Sequence, residues 1–416
     1  MSDVSPPTVI SLYTGAGGLD YGFEAAGFET AVAVEMDPEA CDTLRRNRSW
    51  PVVERDIHAV PTAEILRTAG LARGEADVVI GGPPCQPFSK SGYWARGDAR
   101  RLDDPRAGTL DAFLRVVEES RPRALLLENV PGLAFAGKDE GLARILAGIA
   151  EINRRVGTAY RPFHFVLNAK DFGVPQDRSR FFLVAAREGA PFELPTPTHG
   201  DPEAPGGPGG VEPWRTAWDA LGDLPAAGEE PERGELAMRG KWAGLLPSIP
   251  EGRNYLWHTD RGGGLPLFGW RRRYWSFLLK LEKARPSWTL QAQPGPAVGP
   301  FHWTSRRLSR RELCRLQTFP DDVHVPGTRV AAQRQIGNAV PSLLAEVLGR
   351  AIRAQWLGRT IPAGAPKLLP PVRVPVPPPE RRRPVPRRYR PLAGRHAAHP
   401  GTGRGYGALA RSERGE

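Results

Sequence analysis

The stretch VISLYTGAGGLDYGFEAAGF, Val9–Phe28, decides the fold. Val9–Tyr13 is a short apolar run with the length and β-branched content of a buried strand. It meets a glycine-rich turn, Thr14–Gly18, and then Leu19–Ala26, an amphipathic helical stretch. Gly15, Gly17 and Gly18 lie where strand would pass into helix; without a Cβ they let the backbone turn tightly and approach a ligand closely. Outward from here the alternation continues. Ala31–Glu35 (AVAVE), Ala76–Gly82 (ADVVIGG), Ala124–Val130 (ALLLENV) and Arg180–Ala186 (RFFLVAA) read as further buried strands, with DAFLRVVEE and GLARILAGIAEINRR as helices between them. Such alternation predicts an α/β domain with a mostly parallel sheet.

The pattern breaks between about Pro191 and Pro300, which is rich in Gly and Pro with little periodicity. With Trp303 just beyond, this region holds eight of the eleven Trp, and Gly269–Trp275 (GWRRRYW) interleaves Arg with aromatics. Helices are expected again at Ser309–Phe319 and Ala339–Leu357. Eleven Pro then fall between Ile361 and Pro391, followed by an Arg/Gly tail; such a composition buries no core, so an extended or disordered segment is expected. Of the net charge of +11, residues 360–416 hold +9, so the basic character belongs largely to this tail.

Composition excludes several classes. Forty per cent apolar residues in 416 rule out a wholly disordered chain. No apolar run reaches the roughly 18–20 residues of a membrane span, and MSDVSPPT lacks a secretory signal pattern. Cys41, Cys85 and Cys314 are too scattered for a disulfide framework or a CxxC metal pair. A soluble protein of a reducing compartment is expected.

Glu35 ends the strand after the glycine loop, well placed for ribose hydroxyls. The loop departs from GxGxxG, so a ligand without a pyrophosphate, such as S-adenosylmethionine, fits better than a dinucleotide; a tight turn without ligand is the alternative. Ala76–Gly92 (ADVVIGGPPCQPFSKSG) is more specific. Pro83 and Pro84 restrict the backbone just beyond a strand and present Cys85 at the carboxyl edge of the sheet, where open α/β sheets bind ligands.

From about Val9 to Arg353 the chain resembles the bacterial DNA (cytosine-5) methyltransferases, motif after motif in the family's order. SLYTGAGG is similar to the first S-adenosylmethionine loop, with Tyr13 where most members have Phe and Ser11 where Asp is usual. By the same resemblance VEMDPEA supplies Glu35 and Met36, and RDI supplies Asp56 and Ile57, with Asp56 on the adenine amino group. PPCQPFS is the nucleophile loop with Pro84 and Cys85, ENVPGL carries Glu128, and QDRSR (Gln176–Arg180) carries Arg178 and Arg180. RRLSRRELCRLQTFPDD and RQIGNAVP complete the set, with Asn338 and Val340 closing over the cofactor.

The resemblance implies a Rossmann-like S-adenosylmethionine-dependent methyltransferase fold at residues 8–190 and 304–357, a smaller irregular target-recognition domain at 191–303, and a basic tail at 360–416. It implies methyl transfer to C5 of a cytosine flipped out of a specific double-stranded DNA sequence. Cys85 would add to C6, Glu128 would serve N3, and Arg180 with Arg178 would orient the cytosine and hold Glu128; no metal is expected. Ser89, Ser91, Arg96, Arg100 and Arg101, in the loop after Cys85, are candidates for DNA contacts, as are Arg271, Arg272 and Arg273. A cytoplasmic monomer paired with a restriction endonuclease is the expected setting. Cys41 and Cys314 read as plain buried thiols, and Asp37 as the cap of the helix that Pro38 begins. An RNA methyltransferase and a non-catalytic relic are the alternatives; the long recognition segment opposes the first, and intact Cys85, Glu128 and Arg180 oppose the second.

Overall fold

The computed structural model describes residues 5–84, 108–135, 140–204, 207, 209–227, 232–270, 274–360 and 364–394. The chain opens as β1 (Thr8–Leu12), α1 (Gly18–Ala25), β2 (Glu29–Glu35), α2 (Pro38–Asn47), β3 (Val52–Glu54), α3 (Thr62–Ala69) and β4 (Val78–Gly81). It continues as α4 (Gly108–Ser120), β5 (Ala124–Asn129), α5 (Glu140–Val156), β6 (Phe163–Asn168), β7 (Gln176–Asp177) and β8 (Ser179–Ala186). Seven strands form one sheet in the order β3-β2-β1-β4-β5-β8-β6. Neighbours from β3 to β5 are parallel, and β8 runs antiparallel to both β5 and β6. The order reverses between β1 and β4, and a crevice opens beyond the carboxyl ends of strands at such a point.

Each strand's two faces feed separate cores. Ile10, Leu12, Val32, Val34, Val79, Leu125, Leu127, Phe181 and Leu183 pack with Ile65, Phe113, Val116, Val117, Ile145 and Ile149 from α3, α4 and α5. Their strand neighbours Val9, Val78, Ile80, Leu126, Phe182 and Val184 turn the other way, onto Leu19 and Phe23 of α1 and onto α9 (below). Burial of each such side chain contributes about 1.5–3 kcal/mol, which is why these strands read as continuous apolar runs.

The irregular region contributes β9 (His199–Gly200), β10 (Glu212–Pro213), α6 (Ala217–Leu221) and β11 (Ser287–Trp288); α7 (Arg310–Leu316), α8 (Arg329–Asn338) and α9 (Ser342–Trp356) follow. Leu221, Leu281, Leu290 and Trp303 share a core with Leu313, Leu316 and Ile336 of α7 and α8. A separate small core joins Leu245, Leu246, Ile249, Tyr255, Leu267, Leu278 and Phe301. Its last member is Tyr389, from the proline-rich segment.

The expectation of a disordered tail therefore needs correction for residues 364–394. The backbone N–H groups of Lys367 and Leu368 donate to Glu346, Arg373 N–H donates to Asp219 at 2.7 Å, and Tyr389 is 3% exposed with its hydroxyl on the Lys241 carbonyl. Composition missed this because a strap needs few anchors, and proline, already restricted in φ, loses little freedom on docking.

Glycine is obligatory where α1 crosses α9. A Cβ on Gly22 would stand 2.3 Å from the Ser342 carbonyl oxygen and 2.4 Å from the Ala345 Cβ. Gly22→Ala should therefore lower stability by about 1–3 kcal/mol, even though alanine gains about 1 kcal/mol in helix propensity. Denaturant unfolding measures this; an unchanged or raised midpoint would show that the helices separate freely.

Candidate active site

The ends of the strands bring the site together. Tyr13, just past β1, holds a left-handed φ of 56°, uncommon for a non-glycine residue. It is fixed by its hydroxyl, which donates to the Thr109 carbonyl at 2.6 Å; that bond is what tyrosine adds where phenylalanine is usual. Gly15 and Gly17 follow with φ of 56° and 84°, and a Cβ on Gly15 would meet nothing within 4 Å. Across β2, both oxygens of Glu35 are held by backbone N–H groups: Gly15 on Oε2, Met36 and Asp37 on Oε1, each at 2.8 Å. Beyond the paired ends of β2 and β3, Met36 is 62% exposed and the Asp56 carboxylate is exposed, while Ile57 is buried. Hydrogen bonds from His58 hold Asp56 below the usual carboxylate range. On the far side of the loop Val340 is buried, and a Cβ on Gly18 would stand 2.5 Å from the Val340 carbonyl oxygen; Asn338 is exposed at the end of α8.

The second half of the site lies beyond β4 and β5. Glu128 is 8% exposed, and its Oε1 is 2.9 Å from Arg180 Nε at the start of β8. Because β8 is antiparallel, its beginning lies at the same sheet edge as the end of β5. Burial pushes the Glu128 carboxyl up, against the opposing pull of Arg180 and Arg178. A Cβ on Gly82 would lie 2.9 Å from Glu128 Oε2, so the chain leaving β4 runs directly over this carboxyl. Asn129 fixes that approach: its Nδ2 donates to the Pro83 carbonyl at 3.2 Å. Asn129 was not singled out from sequence, although its place in the ENV triplet is the signal that marks it. Pro84 is exposed beyond Pro83. Cys85, Ser89, Ser91, Arg96, Arg100, Arg101, Arg271, Arg272 and Arg273 lie outside the described residues.

Arg178 differs from expectation. It is 1% exposed, and its guanidinium donates to the carbonyls of Leu290, Gly337 and Ala339 at 3.1, 2.6 and 2.9 Å. A guanidinium committed to three carbonyls is a pin and not a cytosine ligand. The regular structure lapses at Arg178, between β7 and β8, so Arg178 and Arg180 serve different surroundings despite their i, i+2 spacing.

The remaining candidates fall where expected. Asp37 caps α2 by accepting from Glu39 N–H at 3.0 Å. Cys41 and Cys314 are buried, and burial pushes both thiols up to about 12, which leaves them inert at neutral pH. Ser11, in place of the usual Asp, donates to buried Asp20 at 3.1 Å; Thr30 donates to the other oxygen at 3.3 Å. An aspartate at position 11 would set two carboxylates against each other here. Among the described residues, no three His, Cys, Asp or Glu converge as metal ligands, and no helix is long and apolar enough to cross a membrane.

Residues 7–354 match the family model for the C-5 cytosine-specific DNA methylases. The chain is 42% identical over 389 residues to the type II methyltransferase M.SacI of Streptomyces achromogenes, covering 86% of this chain and 96% of that one. It is 35% identical over 350 residues to the type II methyltransferase M1.HphI of Haemophilus parahaemolyticus, covering 83% and 86%. A prophage-encoded Escherichia coli chain of known structure superposes with a TM-score of 0.61 at 22% identity, covering 85% of this chain and all of that one, which speaks for the fold. The chain belongs to the C-5 cytosine-specific DNA methylase family. Its activity is that of a DNA (cytosine-5-)-methyltransferase, and the family implies S-adenosylmethionine as methyl donor.

Two outcomes follow from the geometry. Burial raises the Asp20 carboxyl to about 7 against about 3.9 in an unfolded chain. Stability linked to its protonation is full below about pH 4 and lost as pH rises through 7, by up to about 4 kcal/mol. Asp20→Asn should flatten the fall between about pH 4 and 7 in denaturant titrations; an equal fall in both proteins would exclude Asp20 as its source. Arg178→Met leaves three carbonyls without their donor, at about 1–3 kcal/mol each. It should lower unfolding stability by about 3 kcal/mol or more, and wild-type stability would return Arg178 to the catalytic set.

Proposed function

We propose that Cys85 is the nucleophile, Glu128 the acid, and Arg180 the residue that orients both carboxyl and cytosine in a duplex DNA substrate. The observation that carries this reading is the buried Glu128–Arg180 pair, 2.9 Å apart, with the Gly82–Pro83 backbone drawn over it one residue short of the Pro84–Cys85 step.

The chemistry follows from cytosine itself. C5 is a poor nucleophile, so the Cys85 thiolate first adds to C6, forming an S–C6 bond and pushing the ring's electron pair toward N3 and C5. Glu128 holds a proton at N3 against that developing charge; burial raises its affinity for a proton, which suits it to the task. Bound S-adenosylmethionine supplies the electrophilic methyl group that C5 then takes. Loss of the C5 proton to a base returns the electron pair, breaks the S–C6 bond and frees Cys85. Because C5 and C6 are inaccessible in a stacked helix, the cytosine must leave the duplex.

The residues at the first three strand ends fit the cofactor. Glu35, held by three N–H groups, keeps acceptor capacity for a ribose hydroxyl; Asp56 would take the adenine amino group beside exposed Met36 and Ile57; the open space over Gly15 leaves room for the ligand. Pro84, Asn338 and Val340 would close the other side. Residues 191–303 would read the target sequence, and protection from a cognate endonuclease would be the biological setting. Similarity to type II methyltransferases supports that setting.

A duplex bearing 5-fluorocytosine at the target, located first by bisulfite sequencing, tests the roles. Fluorine cannot leave as a cation, so the enzyme should stay attached in the presence of S-adenosylmethionine, with the adduct on the Cys85 peptide. Cys85→Ala should abolish trapping, and Glu128→Gln should slow methylation by about 10²–10⁴-fold. An adduct at Cys41 or Cys314, or undiminished turnover by Cys85→Ala, would overturn the assignment.

A further inference from the structure

The segment 364–394 is anchored along its whole length. It starts on α9, where Glu346 takes the N–H groups of Lys367 and Leu368, and Pro370 accepts from Arg215 at 3.0 Å. It then crosses the irregular region. Glu380 is 3.1 Å from the ammonium of buried Lys283, which Glu251 also holds at 2.7 Å. Arg383 N–H donates to Pro247, Tyr389 stacks on Trp242 with ring centres 5.9 Å apart, and Gly394 N–H donates to Pro266.

Between the Glu380 and Gly394 anchors lie six arginines: Arg381, Arg382, Arg383, Arg387, Arg388 and Arg390. All six are exposed. None forms an ion pair with a carboxylate among the described residues, whereas arginines elsewhere commonly do, as Arg45, Arg48, Arg144, Arg315 and Arg334 show. Arg382 lies over Trp257 and Arg388 over Tyr389, at 5.0 and 4.9 Å, contacts that orient a guanidinium without neutralising it. Six like charges on one fixed backbone repel each other, and nothing in the packing of Tyr389 or Glu380 calls for them. They are complementary to a long, regularly charged anion.

We propose that Arg381–Arg390 is a preformed phosphate-binding ridge that grips duplex DNA flanking the methylated site. Duplex DNA is favoured over other polyanions because the enzyme acts on DNA. The ridge is also seated on the small core that Trp242, Phe268 and Phe277 join. At about 3.1 Å per extended residue, Arg382 to Arg387 spans roughly 15 Å, several phosphate steps of one strand, and a short 3-10 helix, Arg387–Leu392, carries the remaining arginines. Contacts to phosphates make this an affinity device that carries no sequence information.

The inference rests on the duplex-DNA reading above, and its test separates the two. The full chain and two triple variants, R381Q/R382Q/R383Q and R387Q/R388Q/R390Q, are compared for affinity between 0.05 and 0.3 M salt. Probes are a duplex of about 30 base pairs centred on the site, one of about 14, and polyglutamate as a non-nucleic polyanion. Each variant should lose about 0.9 from the salt slope per phosphate contact removed and bind the long duplex at least tenfold more weakly. Binding of the short duplex should change little, and thermal melting, which checks the fold, should stay the same. Truncation after Gly394 should preserve the advantage of the long duplex. Unchanged slopes, equal losses on both lengths, loss confined to polyglutamate, or disappearance of the advantage on truncation would each overturn the ridge. Failure of the wild-type chain to methylate duplex DNA would instead overturn the reading beneath it.

Discussion

Arg178 carries a permanent charge into the interior, where three carbonyl oxygens from distant parts of the chain converge on it. Leu290 belongs to the irregular region; Gly337 and Ala339 bracket the turn whose next residue, Val340, faces Gly18 in the glycine-rich loop. Gln176, two residues earlier, repeats the arrangement with neutral groups, donating to Leu316 and Gln317 while accepting from Leu290 N–H. In a medium where an unpaired guanidinium is intolerable, these partners admit one relative placement of the sheet edge, the irregular region and the Val340 turn. The Glu128–Arg180 pair then has a fixed wall to stand on, since β8 begins immediately after the pin.

What the sequence made legible follows burial. β1, β4, β5 and β8 are covered on both faces and read as unbroken apolar runs. β3 and β6 are edge strands, one of three residues and the other half exposed, and neither leaves a pattern that periodicity detects. At the site, Glu35 was legible from its place at a strand end, whereas Asp56, Glu128 and Arg180 were marked by the family resemblance; the structure sets all four at or just beyond strand ends. Arg178 was expected beside the cytosine from the resemblance, and a motif does not say where a strand lapses. Asn129 and Asp20 were missed because their partners, Pro83 and Ser11, are chosen by three-dimensional proximity.

The proline-rich segment marks the limit of composition as a guide. Its residues bury no core of their own, and its one deeply buried aromatic ring completes a core assembled elsewhere. Lys283 makes the same point in electrostatic terms, since its charge lies between Glu251 and a carboxylate nearly a hundred residues later. Neither end of such a contact is informative alone.

The contact of α1 with α9 has a consequence in time. Roughly 300 residues separate the two helices, yet Gly22 and Ser342 touch through their backbones. At about 5–20 residues per second, a ribosome delivers the later helix some 15–60 s after the earlier one. Throughout that interval one face of the central sheet stands open and the contact of the Val340 turn with Gly18 does not exist. The nascent chain can assemble its strands in order while its crevice stays unfinished, so competence to modify DNA waits until α9 has been delivered.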